Sequence, residues 1–443
     1  MRNRTSVKHL LLALVIAVFA AFMAPSIASA ATPPAQDPFY KYTGSTPLAS
    51  IAPGTVLKTR SVPYHIVGLA TPLKATQLLH RATDAQGRPT VNVTSVVQPS
   101  CFLCLNREKV ISYQSFYDSL SVNDEPSYAI SGGLTLGGII PNIETVLLAP
   151  FLIQGYSIVI DDTQGQQADF ASGPEYGTNT LDGIRAAIKS PAVDLSSNAK
   201  VAMMGYSGGA IATEWAAELA PTYAPDLTKN LIGAAFGGVL VHPAHNLYYV
   251  QGTPIWAGVL PMAVVGIARA YGIDLTPYLS ANGAVVYDKI KNASIINALG
   301  QYPGLKWTDL AKPAYPVPET IPAYVAAANK VIMGTGGTPK IPMLIGQGTG
   351  GELEGTPGTG TYGKGDGVMI AGDVRSLARQ YCSKGVKVQY NEYGGSHITS
   401  ALEWLPQAIS WVTDRFGLFG PLTIPQNCSS IAPGNSLAPI HAP

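Results

Sequence analysis

The sequence predicts an α/β fold with a mostly parallel central sheet and an inserted helical cap. Three observations carry this reading. Short apolar, β-branched runs at 155–162, 201–204, 231–240, 341–345 and 386–390 have the length and composition of buried strands. Segments with helical spacing at 181–188, 211–219 and 401–412 fall between or after them, the order expected of βαβ units. The stretch 242–329 breaks that alternation: it is long, apolar and aromatic, with Trp256, Tyr271, Tyr278, Tyr287, Tyr302 and Trp307.

The predicted organisation follows from these runs. Residues 1–30 read as a secretory signal: Arg2, Arg4 and Lys8 precede the apolar run 10–23, and Ala28-Ser29-Ala30 supplies a small-x-small cleavage site. The run is shorter than the roughly 20 residues that span a bilayer, so no integral membrane segment is expected after cleavage. Residues 31–58, rich in Pro, Ala, Thr and Ser, read as an extended lead-in. Residues 59–241 form the first part of the core, and within it Asp84-Ala85-Gln86-Gly87 breaks the apolar stretches of 64–95 as a turn between antiparallel strands. Residues 242–329 form the cap, and 330–443 complete the core and tail.

Composition excludes some functions. Loss of Arg2, Arg4 and Lys8, with no acid among the first thirty residues, takes the formal net charge from +1 to −2. No basic run marks a nucleic-acid partner. Charged residues make up 12% of the chain and hydrophobic ones 47%, enough apolar material for a large core and an apolar face besides. The four cysteines read as disulfides in an exported chain. The expected pairs are Cys382–Cys428, pinning the tail, and Cys101–Cys104, closing a tight loop; a redox or zinc role for Cys101-x-x-Cys104 lacks a second ligand pair.

The chemistry centres on Gly205-Tyr206-Ser207-Gly208-Gly209. A serine hydroxyl needs a base to take its proton and donors to hold the oxyanion that follows. Gly-x-Ser-x-Gly between a strand and a helix supplies the sharp turn that exposes such a serine, as in α/β-hydrolases. Here 201–204 is the strand and the run from Ala210 the helix, so Ser207 is the expected nucleophile.

That fold orders its triad Ser, acid, His. His242 and His245 come too soon after Ser207 for an acid-bearing strand to intervene, and His441 lies in a Pro-rich tail read as mobile. His397, in Gly394-Gly395-Ser396-His397 after the strand at 386–390, is the expected base. The acid should follow the strand at 341–345. Spacing leaves Asp366, Glu352 and Glu354 open, while Asp373 reads as a helical, solvent-facing residue. The oxyanion donors expected are the N–H groups of Gly208 and, after the strand ending near Val159, of Asp162.

These residues resemble a known family. Gly155-Tyr156-Ser157-Ile158-Val159 with Asp162-x-x-Gly165, then Leu181-Asp182-Gly183-Ile184-Arg185, then the Ser207 motif, are similar to the secretory lipases of fungal lipase A type and their actinobacterial relatives. Gly365-Asp366-Gly367-Val368-Met369, Asp373-Val374-x-x-Leu377-Ala378 and the early Ile111-Ser112-Tyr113-Gln114 with Tyr117-Asp118-Ser119 resemble the bacterial branch, and the likeness spans about residues 40–430. It implies a fatty-acyl ester hydrolase with a helical cap, with Ser207 as nucleophile, Asp366 as acid, His397 as base, and the Asp162 and Gly208 amides as oxyanion donors. The family's Asp-Tyr/His-Glu-Gly stands here as Asp162-Thr163-Gln164-Gly165, a departure at the second donor.

The expectation is therefore a secreted carboxylic ester hydrolase, foremost a triacylglycerol lipase, that needs no cofactor and touches lipid through its cap. Short-chain esterase and acyltransferase chemistry would use the same residues. A peptidase of this fold would bring an added propeller, for which the chain has no room. A non-catalytic binding protein would not require Ser, acid and His in the correct order.

Overall fold

The computed structural model describes residues 31–99, 108–417 and 423–443. The expected signal segment and the Cys101–Cys104 pair lie outside the described residues.

Strands β1 (Val56–Ile66), β2 (Leu69–Thr83) and β3 (Pro89–Val97) form an antiparallel meander. The predicted turn joins the last two, with Asp84 Oδ1 accepting the N–H groups of Gln86 and Arg88 at 2.9 and 2.8 Å. The lead-in carries two short 3₁₀ turns, and β1 already begins within it.

Next come β4 (Lys109–Gln114), α1 (Pro126–Ile130), α2 (Ile139–Ile153), β5 (Ser157–Asp161), α3 (Gly173–Lys189), β6 (Lys200–Tyr206), α4 (Gly208–Tyr223) and β7 (Leu231–Gly237). Six helices follow before the next strand: α5 (Pro243–Val250), α6 (Val259–Ala270), α7 (Ala281–Ile290), α8 (Ile295–Ala298), α9 (Trp307–Leu310) and α10 (Pro322–Lys330). Then β8 (Met343–Gly348), α11 (Ala371–Ser383), β9 (Val388–Tyr393) and α12 (His397–Asp414) complete the core. Among the described residues the sheet has nine strands in the order β1-β2-β3-β5-β4-β6-β7-β8-β9, parallel from β5 onward.

Parallel strands buried on both faces explain the near-continuous apolar runs of the central strands. In β6, Val201 and Met203 join one core with Leu181, Ala216 and Leu377 of α3, α4 and α11; Ala202 and Met204 join the other with Phe151 and Trp404 of α2 and α12. Residue alternation along one strand thus feeds both layers.

Strand order places the site. From β4 the chain moves outward to β5, and from β6 outward on the other side to β7. The loops leaving these two neighbours part at their C-terminal ends and open a crevice, the usual ligand position in an open α/β sheet.

The C-terminal tail is tied down rather than mobile. Cys382 and Cys428 form a disulfide, and Asn329 and Ile440 exchange two hydrogen bonds of 2.9 and 2.8 Å. His441, at its end, is exposed. No helix among the described residues is long and apolar enough to cross a membrane.

Candidate active site

Ser207 sits between β6 and α4 with φ 53° and ψ −119°. A non-glycine residue reaches that region only at a cost of about 1–3 kcal/mol, repaid by surrounding structure. Here the Ser207 N–H donates to the Gly237 carbonyl at 2.9 Å, tethering the turn to β7. A Cβ at Gly209 would strike the Gln114 carbonyl at the end of β4, and one at Gly208 would strike the Asp118 carboxyl. Glycine at both places lets the turn approach the β4 loop.

The hydroxyl of Ser207 donates to His397 Nε2 at 2.8 Å. Nδ1–H of His397 donates to Asp366 Oδ2 at 2.7 Å, which fixes the tautomer. Asp366 is fully buried, and its other oxygen accepts the N–H groups of Val368 and Met369 at 3.1 and 2.7 Å. The two loops are also joined through the backbone, His397 N–H donating to Asp366 O at 2.6 Å.

The imidazole is packed from two sides. The Tyr206 ring lies 5.1 Å away and its hydroxyl donates to His397 O at 2.7 Å; the Trp256 ring stands edge-on at 5.3 Å. Burial alone would lower the His397 pKa, but the charge and hydrogen bond of Asp366, with a smaller contribution from Glu354, outweigh it and hold the value above the ordinary one.

Of the acids left open by spacing, Asp366 meets the imidazole. Glu352 is exposed, with its nearest ion-pair partner, Lys364, at 3.7 Å. Glu354 is buried in a different role, accepting Trp256 Nε1–H at 2.8 Å and Ile398 N–H at 3.1 Å.

Asp118, in the loop after β4, was not among the expected site residues. It is buried, at φ 38°, and lines the same cavity as Ser207, Gly208 and His397. Burial pushes its pKa up to about 8; His397 and the Gly208 N–H pull it down, and Glu144 pushes it further up. Burial thus favours the neutral form of this carboxyl, which lies beside Gly208. Its loop is braced by Glu144, which accepts Tyr113 Oη–H at 2.7 Å and Phe116 N–H at 3.1 Å, and by Gln164, which accepts Ser119 N–H at 3.2 Å.

Above these groups lies a cavity of about 460 Å³. Its walls are overwhelmingly aliphatic and aromatic, including Leu247, Val250, Leu260, Val264 and Tyr324 from the helices between β7 and β8.

The family model described as Secretory lipase matches residues 132–419. The chain belongs to the secretory lipase family. Lipase 4 of Candida albicans is 32% identical over 427 residues, covering 92% of this chain and 85% of its own. A probable inactive lipase of Mycobacterium tuberculosis is 29% identical over 389 residues, covering 86% and 82%. Among solved structures, Candida antarctica lipase A in its closed state superposes with a TM-score of 0.77 at 27% identity, covering 94% of this chain and 92% of that one. A rice cell wall degrading esterase from Xanthomonas oryzae shares the fold alone, with a TM-score of 0.57 at 13% identity over 83% of this chain and 99% of that one.

Two expectations need correction within this secretory lipase fold. The Asp162 amide is not available as an oxyanion donor, because it donates to Val93 O at 3.1 Å where β5 leaves β3. The Asp162 carboxyl accepts Ser127 N–H at 2.9 Å and Ser127 Oγ–H at 2.6 Å, tying the sheet to α1. Asp373 does not face solvent: it is buried, accepting His245 Nδ1–H at 3.0 Å and Asn435 Nδ2–H at 2.8 Å. His245 is therefore held by a hydrogen bond to α11, far along the chain, and stacks at 3.6 Å on His242.

Proposed function

We propose that this chain is a secreted carboxylic ester hydrolase, foremost a triacylglycerol lipase, working through a Ser207–His397–Asp366 triad. The observation that carries the reading is the continuous chain of hydrogen bonds of 2.8 and 2.7 Å from Ser207 through His397 to Asp366, opening into an apolar cavity. A cavity of this size lined by apolar side chains suits a long acyl chain, with the few polar groups gathered at the reacting end.

His397 Nε2 takes the Ser207 proton as Oγ attacks the ester carbonyl. The charge that develops on the carbonyl oxygen is held by Gly208 N–H and by the O–H of neutral Asp118. The imidazolium, steadied by Asp366, gives its proton to the leaving alkoxide as the carbon–oxygen ester bond breaks. Water, deprotonated by the same imidazole, then attacks the acyl-enzyme and releases the fatty acid and free Ser207.

Membership in a secretory lipase family and the likeness to Candida lipases support the ester class and export from the cell. Hydrolysis of p-nitrophenyl esters from C2 to C16 tests the substrate. The expected rate peaks at the longer chains. A peak at C2 to C4 makes the enzyme a short-chain esterase, and ester products formed with added alcohol in preference to acid make it an acyltransferase.

A further inference from the structure

The cavity must receive its substrate from outside, and its rim marks where. Ile398 and Leu402, one turn apart at the start of α12, line the cavity and are nevertheless 59% and 71% exposed. Ile140 of α2 lines it too, and beside it Ile139 and Ile143 are exposed, as are Leu134 and Leu136 in the segment that leads into the helix. Leu134 lies against the β1–β2 hairpin tip at Gly68, where Val67 and Leu69 are exposed as well. Single exposed apolar residues are ordinary; several on the segments that border one apolar mouth are not.

Charge narrows the occupant. Between Pro126 and Gly155 the only charged residue is Glu144, which is buried and faces the Ser115 loop. From Tyr393 to Leu402 His397 is the sole titratable side chain apart from Tyr393 itself. The rim therefore offers no cation to a phosphate headgroup, and the nearest charge on its α12 side, the exposed Glu403 after Leu402, is an anion. It matches an uncharged surface. A second copy or a protein seated here would close the mouth, whereas an ester phase would feed it.

We propose that the rim built from residues 134–143 and the start of α12, not the helices between β7 and β8, is the surface on which the enzyme docks to an uncharged acyl-ester phase. This rests on the ester-hydrolase reading and specifies where that reading meets its substrate in bulk. Because no charge takes part, docking is insensitive to salt, unlike attachment through basic residues.

The test uses the full chain in a Ser207→Ala background and flotation on triolein droplets. The combined variant Leu134→Ser, Leu136→Ser, Ile139→Ser, Ile143→Ser should lose at least tenfold in droplet partition. Ile143→Ser alone should lose part of that. Val285→Ser, at an exposed position on α7, should lose nothing. With Ser207 restored, the combined variant should hydrolyse p-nitrophenyl acetate in free solution as the parent does, showing an intact site. Unchanged flotation of the combined variant overturns the proposal, as does loss in Val285→Ser. Conversion of a parent dimer to monomer by the four substitutions assigns the face to a second copy and overturns it too. Absence of soluble-ester hydrolysis by the parent defeats the Ser207 reading instead, leaving flotation to decide the surface by itself.

Discussion

Replacing Asp118 separates a structural loop residue from an oxyanion donor. Its carboxyl shares the cavity with Ser207, lies beside the Gly208 amide and is held neutral by burial up to about pH 8. If the carboxyl is the proposed oxyanion donor, Asp118→Ala removes it, and such a loss typically lowers kcat by about 10²–10³-fold, roughly 3 kcal/mol. Asp118→Asn keeps an N–H donor there and should recover most of that loss. The pH dependence distinguishes the two mechanisms further. In the parent, activity rises as His397 loses its proton, at a pH above the ordinary histidine value because neighbouring carboxylates favour the imidazolium. It falls again as Asp118 ionises near pH 8. Asp118→Asn cannot ionise, so the alkaline fall should disappear while the acid limb remains. The assay is kcat/KM for a soluble ester across pH 5–10. Full activity in Asp118→Ala, or an alkaline limb that survives in Asp118→Asn, refutes a donor role for the carboxyl.

Two further outcomes follow from the same geometry. Asp366→Asn should lower kcat by about 10⁴-fold, the loss typical when a triad carboxylate becomes an amide. Glu352→Gln should leave the rate unchanged, because that carboxylate is exposed and outside the site; rate assays on the two variants decide between them. Stability should fall between pH 6.5 and pH 9. Burial raises Glu144 and Asp169 to about 7 and Asp118 to about 8. Each contribution is complete below the unfolded value near 4 and is lost as pH rises through the folded one, by up to about 1.4 kcal/mol per pH unit per proton. His80, held down to about 4, acts the opposite way only below pH 6.5 and does not enter this window. A Tm flat or rising across it, by calorimetry, contradicts the assignment of those buried acids as neutral.

Ser207 and His397 were legible because local geometry and chain order are written in sequence: a strand, Gly-x-Ser-x-Gly, a helix, and one histidine in the right place. Asp366 was not separable from Glu352 and Glu354 by spacing, since a glycine-rich loop has no period; resemblance to the family made the choice. The loop that lies beside Gly208 escaped the sequence reading for a topological reason. β4 precedes β5 in sequence but lies beside β6 in space. Its residues Ser112 and Gln114 interrupt the apolar pattern that marks the other strands. The β5 loop carries the clearer strand signal, but Asp162 there ties β5 to β3 and to α1. The one sequence signal was the Tyr117-Asp118-Ser119 segment, which carried resemblance but no assigned role. The sequence places β9 early, at 386–390 against Val388–Tyr393, because this edge strand alternates and carries Asn391 and Glu392 before its last residue. Asp373 was misread because its partners, His245 and Asn435, come from segments 128 and 62 residues away.

The central claim is that Ser207 is acylated. A fluorophosphonate ester, which traps an activated serine, followed by peptide mass spectrometry, tests it most directly. The account predicts one adduct per chain, on the peptide holding Ser207, absent in Ser207→Ala together with ester hydrolysis. An adduct on another residue, or hydrolysis that survives Ser207→Ala, contradicts it.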